Sequence, residues 1–211
     1  MRSRLAGLSP RMENVFLIVG LGNPGAEYAQ TRHNAGFLLA EKLAAKWKCG
    51  WANERKFRAR IAKAERGVKR ILLCEPQTFM NLSGESVGAL KSFYQLPLGN
   101  VLVAVDDADL PLGTVRLRAG GSSGGHHGLE SIEQHLASRE FARLKMGIGR
   151  ADGSREITDY VLGRFDSAED GLLERVLERA ANQVETWLDA GIKNAMQLNG
   201  VIDSENEENK K

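Results

Sequence analysis

The sequence predicts a single α/β domain of three layers, in which helices flank a mixed, mostly parallel sheet. The first reason is that short apolar strands alternate along the chain with amphipathic helices. The second is that 42% of the 211 residues are hydrophobic, which is enough to bury one core. The third is that the two cysteines, Cys49 and Cys74, are too few for a disulfide framework or a four-ligand zinc site. Packing alone must therefore hold the domain together.

The first half of the chain predicts four strands and two helices. Short apolar runs predict buried strands at 15–19, 71–74 and 101–105, and alternation of apolar and polar residues predicts a half-buried strand at 56–64. Apolar residues at helical spacing predict helices at 35–47 and 83–94. Pro76 ends one strand and Pro97 follows the second helix, as expected of a residue without a backbone donor.

The second half predicts a strand at 114–118, a glycine-rich loop at 119–125, a helix through Leu129 and Leu136, and a strand near 144–148. A long helix follows, opened by the capping-box pattern of residues 167–170. Residues 1–13 and 201–211 are predicted to be disordered, which leaves the domain at 14–200. No apolar run approaches the roughly 18 residues of a membrane span, and no secretory signal is present, so the prediction is a cytoplasmic protein.

Three loops follow buried strands, after Val19, Cys74 and Val105. Ligands of open α/β sheets bind beyond the carboxyl ends of the strands, so these loops predict the site. Asp106 ends the central strand, where a carboxylate is costly without a partner. His33 lies before the first helix, and an aspartate beside it would hold one imidazole tautomer and favour its action as a base.

Two glycine motifs suggest other functions. Gly20-x-Gly22-x-x-Gly25 matches the dinucleotide fingerprint, but no helix follows it directly and no ribose-binding acid lies about 20 residues on. Gly121-Ser-Ser123-Gly-Gly125 matches the nucleophile elbow of serine hydrolases, but no acid and distant histidine follow in the required order. Both motifs are better interpreted as flexible loops.

The remaining residues favour a hydrolase that needs neither cofactor nor metal. The four histidines do not have the spacing of metal ligands, and no activated Ser, Cys or Lys nucleophile is evident. Asn23 and Asn81 stand in two of the three loops, where their amides could bind a carbonyl or an amide group of a substrate. We therefore expect His33 to activate a water molecule directly.

Seven ordered sequence blocks resemble the bacterial peptidyl-tRNA hydrolase family. The blocks are 19–28 (VGLGNPGAEY), 31–36 (TRHNAG), 76–84 (PQTFMNLSG), 106–113 (DDADLPLG), 124–128 (GGHHG), 145–149 (KMGIG) and 160–163 (YVLG). The resemblance extends from about residue 15 to about residue 199. It implies one α/β domain, commonly monomeric, that hydrolyses the ester between a peptide and the 3′ end of tRNA and so recycles the tRNA of prematurely released chains.

The resemblance also implies residue roles. His33 matches the catalytic histidine and Asp106 the carboxylate that stabilises its basic form. Asn23 matches the residue that distinguishes peptidyl-tRNA from unblocked aminoacyl-tRNA. The remaining positions expected to contact the acceptor stem and CCA end are Tyr28, Phe79, Met80, Asn81, His126, His127, Arg118, Arg143 and Lys145. His127 departs from the family, which usually has an asparagine there, so the pH profile and substrate preference are open.

The overall charge of +2 does not by itself suggest a nucleic-acid partner. The segment 46–70, however, holds ten lysines and arginines against two glutamates. It could be a solvated hairpin face or part of a tRNA surface, and both interpretations stay open. A non-catalytic RNA-binding relative is the alternative from another class, although the complete set of His33, Asp106, Asn23 and Asn81 argues against it.

Overall fold

The computed structural model describes residues 14–149 and 157–202. Eight strands form one sheet: β1 (Val15–Gly20), β2 (Trp51–Glu54), β3 (Ala59–Arg66), β4 (Lys69–Pro76), β5 (Val101–Asp107), β6 (Thr114–Arg118), β7 (Ala142–Gly147) and β8 (Gly200–Val201). Their order is β2-β3-β4-β1-β5-β7-β6-β8. The strands predicted from apolar runs are all present, and the short edge strands β2 and β8 are additional.

The four central strands are parallel. β1 pairs in parallel with β4 and β5, and β5 pairs in parallel with β7. The outer pairings, β2 with β3, β3 with β4, β6 with β7 and β6 with β8, are antiparallel. The sheet is therefore mixed, as predicted, but its parallel part is confined to the centre, because the strands added at each side, β3 and β2 on one and β6 and β8 on the other, run antiparallel to their neighbours.

Six α-helices are described: α1 (Ala35–Lys46), α2 (Ser83–Phe93), α3 (His127–Leu136), α4 (Ile157–Val161), α5 (Asp170–Ala190) and α6 (Ile192–Met196). The short helices α4 and α6 were not predicted from the sequence. The capping box of the long helix lies one residue earlier than predicted, between Asp166 and Glu169, and opens a 3₁₀ turn before α5.

The sheet has a buried core on each face, which gives three layers. α1 and α5 cover one face, where Leu39 and Val184 pack against Ile18 of β1 in the same apolar cluster. α2 and α3 cover the other face, which contains Leu17 and Val19. Successive strand residues thus enter opposite cores, which explains why the central strands read as continuous apolar runs.

The end of the folded domain differs from the prediction. Val201 pairs with Thr114 of β6, and Ile202 donates its backbone N–H to Gly113 at 2.9 Å. The predicted disordered tail therefore begins no earlier than residue 203; that tail and the predicted disordered segment 1–13 lie outside the described residues. Within 14–149 and 157–202, no helix has the length and apolar character needed to cross a membrane.

Candidate active site

A cleft of about 670 Å³ opens at the carboxyl ends of the central parallel strands. All three predicted loops contribute to it: Asn23 follows β1, the segment 79–81 follows β4, and residues 106–109 end β5. His33, the loop 123–127 and α4 complete the wall. Parallel pairing of β4, β1 and β5 brings their carboxyl ends to one edge, which is why residues about 80 positions apart meet here.

Asn23 is held by hydrogen bonds on its backbone and side chain. Asn34, buried at the entry of α1, accepts from the Asn23 N–H at 2.9 Å and donates to the Asn23 carbonyl at 3.0 Å. The side-chain oxygen of Asn23 accepts from the backbone N–H of Met80 at 2.9 Å. Its Nδ2 therefore remains as a donor without a partner among the described residues, in a side chain that lines the cleft.

His33 lies in a 3₁₀ turn between the first loop and α1, and its ring faces Asp106. The Nδ1 atom of His33 is 3.1 Å from Oδ1 and 3.0 Å from Oδ2 of Asp106. A carboxylate accepts, so Nδ1 carries the proton, and Nε2 is left with a lone pair. Nε2 has no partner among the described residues, which suits a general base.

His126 contacts the same carboxylate, and its ring centre lies 5.0 Å from that of His33. Its Nε2 lies 3.1 Å from Asp106 Oδ1, while its Nδ1 accepts from the backbone N–H groups of Gly128 and Leu129 at the start of α3. Because Nδ1 accepts, this network assigns the proton of His126 to Nε2, which donates to Asp106. His126 therefore caps a helix and orients Asp106, a role that the sequence did not indicate.

Asp106 is buried, with 4% of its surface exposed. Burial alone would raise the pKa of this carboxyl, but the neighbouring His126 and then His33 outweigh it and hold the pKa well below its usual range. Asp106 is consequently ionised at neutral pH. A permanent negative charge at this position stabilises the imidazolium that forms when His33 takes a proton.

Three side chains of the cleft also form a group that could offer ligand atoms to a metal ion. One atom each from His33, Asp106 and His126 lies within 4.8 Å of the others. His33 Nδ1 and His126 Nε2 both hydrogen-bond to Asp106 in the structure. The absence of a metal requirement therefore stays a prediction.

The segment after β4 forms the apolar and amide-bearing side of the cleft. Met80 is buried, whereas Phe79 and Asn81 are exposed, Phe79 to 62%. An exposed aromatic ring beside an amide is the arrangement that stacks and hydrogen-bonds an unpaired base. The predicted contacts of Phe79, Met80 and Asn81 thus all lie in the cleft wall.

His127 and Lys145 lie in the cleft wall beside the glycine-rich loop. His127 is largely exposed, and its Nδ1 is 3.3 Å from Glu130 one turn along α3. The Lys145 ammonium is 2.9 Å from Asp107. Both predicted contacts can thus reach a ligand in the cleft, although Lys145 must share its charge with an acid.

Three other predicted contacts do not line the cleft. Tyr28 is half-buried in the loop after β1, and Arg118 is exposed at the end of β6. Arg143 is 1% exposed: its guanidinium donates to Glu133 at 2.9 Å and to the carbonyl of Arg139, and it stacks on Phe141. The structure contradicts the prediction that Arg143 contacts a phosphate, because its charge is neutralised inside the domain.

The basic segment 46–70 is neutralised in part. Among the described residues, four of its ten lysines and arginines make ion pairs with acids of other elements: Lys46 with Glu178 and Glu185, Arg58 with Glu85, Arg60 with Glu41 and Glu75, and Arg66 with Glu185 and Asp189. Lys69 bonds the carbonyl of Leu188. The pairing of Lys46 and Arg66 with acids of α5 gives these two side chains a structural role, and the interpretation of the remaining segment as a tRNA surface stays open.

The wall formed by α4 was not predicted. Ile157 and Val161 line the cleft, and Arg32, adjacent to His33, joins this wall to the catalytic turn. The Arg32 guanidinium lies 4.8 Å from the ring centres of both Tyr160 and Phe165, and it makes a bidentate pair with Glu169. No periodicity could have revealed α4, because the helix has only five residues.

Comparisons with known proteins agree with this fold and identify its family. The sequence profile of the peptidyl-tRNA hydrolase family matches residues 17–208. A peptidyl-tRNA hydrolase from a Synechococcus strain is 48% identical over 181 residues, 85% of this chain and 80% of that protein. The corresponding protein of Gloeobacter violaceus is 43% identical over 182 residues, 86% and 92% of the two chains. The crystal structure of peptidyl-tRNA hydrolase from Acinetobacter baumannii superposes with a TM-score of 0.84 at 39% identity, covering 90% of this chain and 97% of that one.

The fold and the site together define a three-layer α/β domain whose cleft contains a histidine paired with a buried aspartate at the carboxyl ends of parallel strands. The family match covers nearly all of the described chain and most of the relatives' lengths. The chain belongs to the peptidyl-tRNA hydrolase family, and it is an enzyme.

Proposed function

We propose that this enzyme hydrolyses the ester bond between a peptide and tRNA, with a water molecule activated by His33. The observation that supports the proposal most strongly is the pair of contacts, 3.0 and 3.1 Å, between His33 Nδ1 and Asp106. They leave the Nε2 lone pair of His33 in a cleft that also offers amide donors. A water molecule gives a proton to Nε2 of His33 as the water oxygen attacks the ester carbonyl. His33 then returns this proton to the ribose oxygen, which leaves as a hydroxyl group.

The amides around His33 have separate tasks in this mechanism. Asn23 Nδ2, fixed by the bond from Met80 to its own oxygen, is positioned to donate to a peptide carbonyl. Asn81 is exposed beside it and would stabilise the negative oxygen of the tetrahedral intermediate. Phe79 would stack on the terminal adenine of the acceptor end. We further propose that the enzyme acts as a cytoplasmic monomer that recycles tRNA.

We expect His33→Ala to lower kcat by at least about 10²-fold, because a positioned general base contributes roughly 10²–10⁴ in rate. Binding of tRNA should persist, since His33 is not among the basic contacts. The measurement is release of N-acetylated amino acid from tRNA, with binding followed separately by filter retention. His135→Gln is the control, as His135 bonds the carbonyl of Ser131 in α3 and does not line the cleft.

Near-parental turnover by His33→Ala would contradict the proposed base. Binding of the substrate by the parent without any deacylation would instead favour the non-catalytic RNA-binding alternative. Dialysis against EDTA tests metal independence in the same assay: we expect unchanged kcat, and loss of activity that Zn²⁺ or Mg²⁺ restores would assign a metal to the group His33, Asp106 and His126.

A further inference from the structure

Arg32 precedes the proposed base in the chain but lies outside the cleft. Only 5% of its surface is exposed, and it is not among the residues that line the cleft. Its guanidinium donates to both carboxylate oxygens of Glu169, at 3.1 and 2.6 Å, and to the carbonyl of Ile148 at 3.2 Å. The ring centres of Tyr160 and Phe165 each lie 4.8 Å from it. Arg32 cannot touch a substrate, so any part it has in the reaction acts through the residues that it holds.

The contacts of the Arg32 side chain join three segments to the 3₁₀ turn before α1. Glu169 belongs to the capping box before α5, where its carboxylate also accepts from the backbone N–H of Asp166 at 2.7 Å. Ile148 follows β7, and its carbonyl also accepts from the hydroxyl of Tyr160 in α4 at 2.8 Å. One buried guanidinium therefore fastens α4, the end of β7 and the start of α5 to the turn that carries the base.

The position of α4 depends on contacts of this kind. The helix has only five residues, and isolated helices of fewer than about 12 residues are marginal in water. The backbone N–H of Arg32 donates to the carbonyl of Gly163, just after the helix, at 2.9 Å. Ile157 and Leu162 line the cleft and are 45% and 38% exposed. Such half-exposed apolar side chains offer a surface to an apolar part of a ligand.

His33, in contrast, is held by contacts that do not involve the side chain of Arg32. Asp106, at the end of β5, accepts from His33 Nδ1 at 3.0 Å. Asn34, the next residue, is bonded in both directions to the backbone of Asn23, at 2.9 and 3.0 Å. Loss of the Arg32 side chain should therefore release α4 and leave the base in place.

We propose that Arg32 is a positioning residue that fixes the α4 wall, defined as residues 157, 158, 161 and 162, and thereby sets the affinity of the enzyme for the peptide part of its substrate. The choice of the peptide rests on the proposed function and on the apolar side chains of Ile157, Val161 and Leu162, which do not suit the phosphates of tRNA. The shape of the guanidinium matters, because its planar fork pairs with both oxygens of one carboxylate and its faces can lie against two rings.

The test compares one tRNA carrying either N-acetyl-leucine or N-acetylglycine. In Arg32→Gln we expect the KM of the leucine substrate to rise about fivefold or more while kcat changes less than about threefold, the pattern of a lost binding interaction. The KM of the glycine substrate should rise less, because glycine has no side chain to contact the wall. Arg32→Lys keeps the charge without the planar fork and should restore only part of the affinity.

Arg179→Gln is the matched control. The guanidinium of Arg179 donates to the carbonyl of Leu198, outside the cleft, so this variant should keep the parental KM and kcat. Phe165→Leu removes one ring beside the guanidinium and keeps Arg32 itself. We expect the same direction of KM change in Phe165→Leu, which covers the case of a poorly folded Arg32 variant.

Hydrogen–deuterium exchange of the enzyme without tRNA gives a readout that needs no substrate. In Arg32→Gln the segment 157–165 should exchange faster, whereas α1 should keep its parental protection. Faster exchange in this segment, in an enzyme whose parent deacylates neither substrate, would contradict the proposed function and leave the positioning of α4 standing.

Three kinetic outcomes would overturn the proposal. A fall in kcat at unchanged KM would assign Arg32 to the placement of His33 instead. Equal increases in KM for the two substrates would show that the α4 wall does not bind the peptide. Parental KM values in both Arg32→Gln and Phe165→Leu would show that the contacts of Arg32 do not affect substrate binding.

Discussion

Asp106 determines the protonation pattern of both histidines in the cleft. It accepts from His33 Nδ1 and from His126 Nε2, so each ring presents a defined tautomer. The sequence predicted the first contact, because Asp106 ends a central strand and His33 lies between the loop after β1 and α1. It did not predict the second, since histidine is an unusual N-cap and the contact depends on how α3 packs.

Glu75 is the second residue whose environment changes its ionisation. Burial raises the pKa of this carboxyl from 4.5 to about 8, with Glu41 adding to the increase and Arg60 opposing it. The folded state therefore binds more protons than the unfolded state between about pH 4.5 and 8, and the contribution of Glu75 to stability falls as the pH rises through this range.

We expect Glu75→Gln to be less sensitive to pH than the parent, because glutamine cannot lose a proton. The free energy of unfolding, measured with urea at pH 5 and pH 8.5, should decrease less in the variant than in the parent over this interval. Glu27→Gln, in the exposed loop after β1, should keep the parental dependence. Equal slopes in Glu75→Gln and the parent would show that the carboxyl of Glu75 titrates as in the unfolded chain.

At the scale of elements, a close glycine contact sets the distance between α1 and the sheet. A Cβ atom on Gly36 would lie 2.3 Å from the backbone nitrogen of Leu21 and 2.5 Å from the carbonyl oxygen of Ala104. A Cβ on Gly20 would lie 2.2 Å from the carbonyl oxygen of Gly36. These are backbone atoms that cannot move aside cheaply, so α1 and the catalytic turn before it can dock only with glycine at these positions.

We expect Gly36→Ala to destabilise the domain by about 3 kcal/mol or more, since overpacking against backbone forces the helix outward. Activity should fall with it, because His33 lies two residues before the start of α1. Gly171→Ala is the matched control: it lies in α5 with nothing within 4 Å of the added atom, and should be neutral or stabilise by about 0.5–1 kcal/mol. Urea denaturation of both variants measures the difference, and equal stabilities would refute the steric argument.

At the scale of the whole molecule, the net charge of +2 does not show which basic side chains are paired with acids and which are not. Four of the ten lysines and arginines of the segment 46–70 are paired with acids, two of them on α5, whereas Arg118 has no ion-pair partner among the described residues and Lys145, although paired with Asp107, borders the cleft. We therefore expect Arg118 and Lys145 to contact a phosphate backbone more readily than the paired side chains of the hairpin. Local pairing, rather than the number of lysines and arginines, decides which surface is cationic.

We expect Arg118→Gln and Lys145→Gln each to weaken tRNA binding and to reduce the slope of log affinity against log salt by about one, as the loss of a phosphate contact does. Lys46→Gln should change neither quantity, because its ammonium pairs with Glu178 and Glu185. Binding titrations between 50 and 200 mM salt, a range over which phosphate contacts change affinity strongly, provide the measurement. A larger effect of Lys46→Gln than of the other two would place the tRNA on the hairpin side.

The sequence by itself determined the α/β class, the central strands and the three loops that form the site, because apolar periodicity and strand-end polarity are local properties of the chain. It also predicted site roles for His33, Asp106, Asn23 and Asn81, through motifs that resemble one family, and all four line the cleft. Only the tertiary structure decided that Arg143 is buried, that His126 orients Asp106, that α4 lines the cleft and that one oxygen of Glu75 is buried without a hydrogen-bond partner among the described residues. These features depend on contacts between residues far apart in the chain, and the burial and charge partners of a side chain exist only once its neighbours have packed around it.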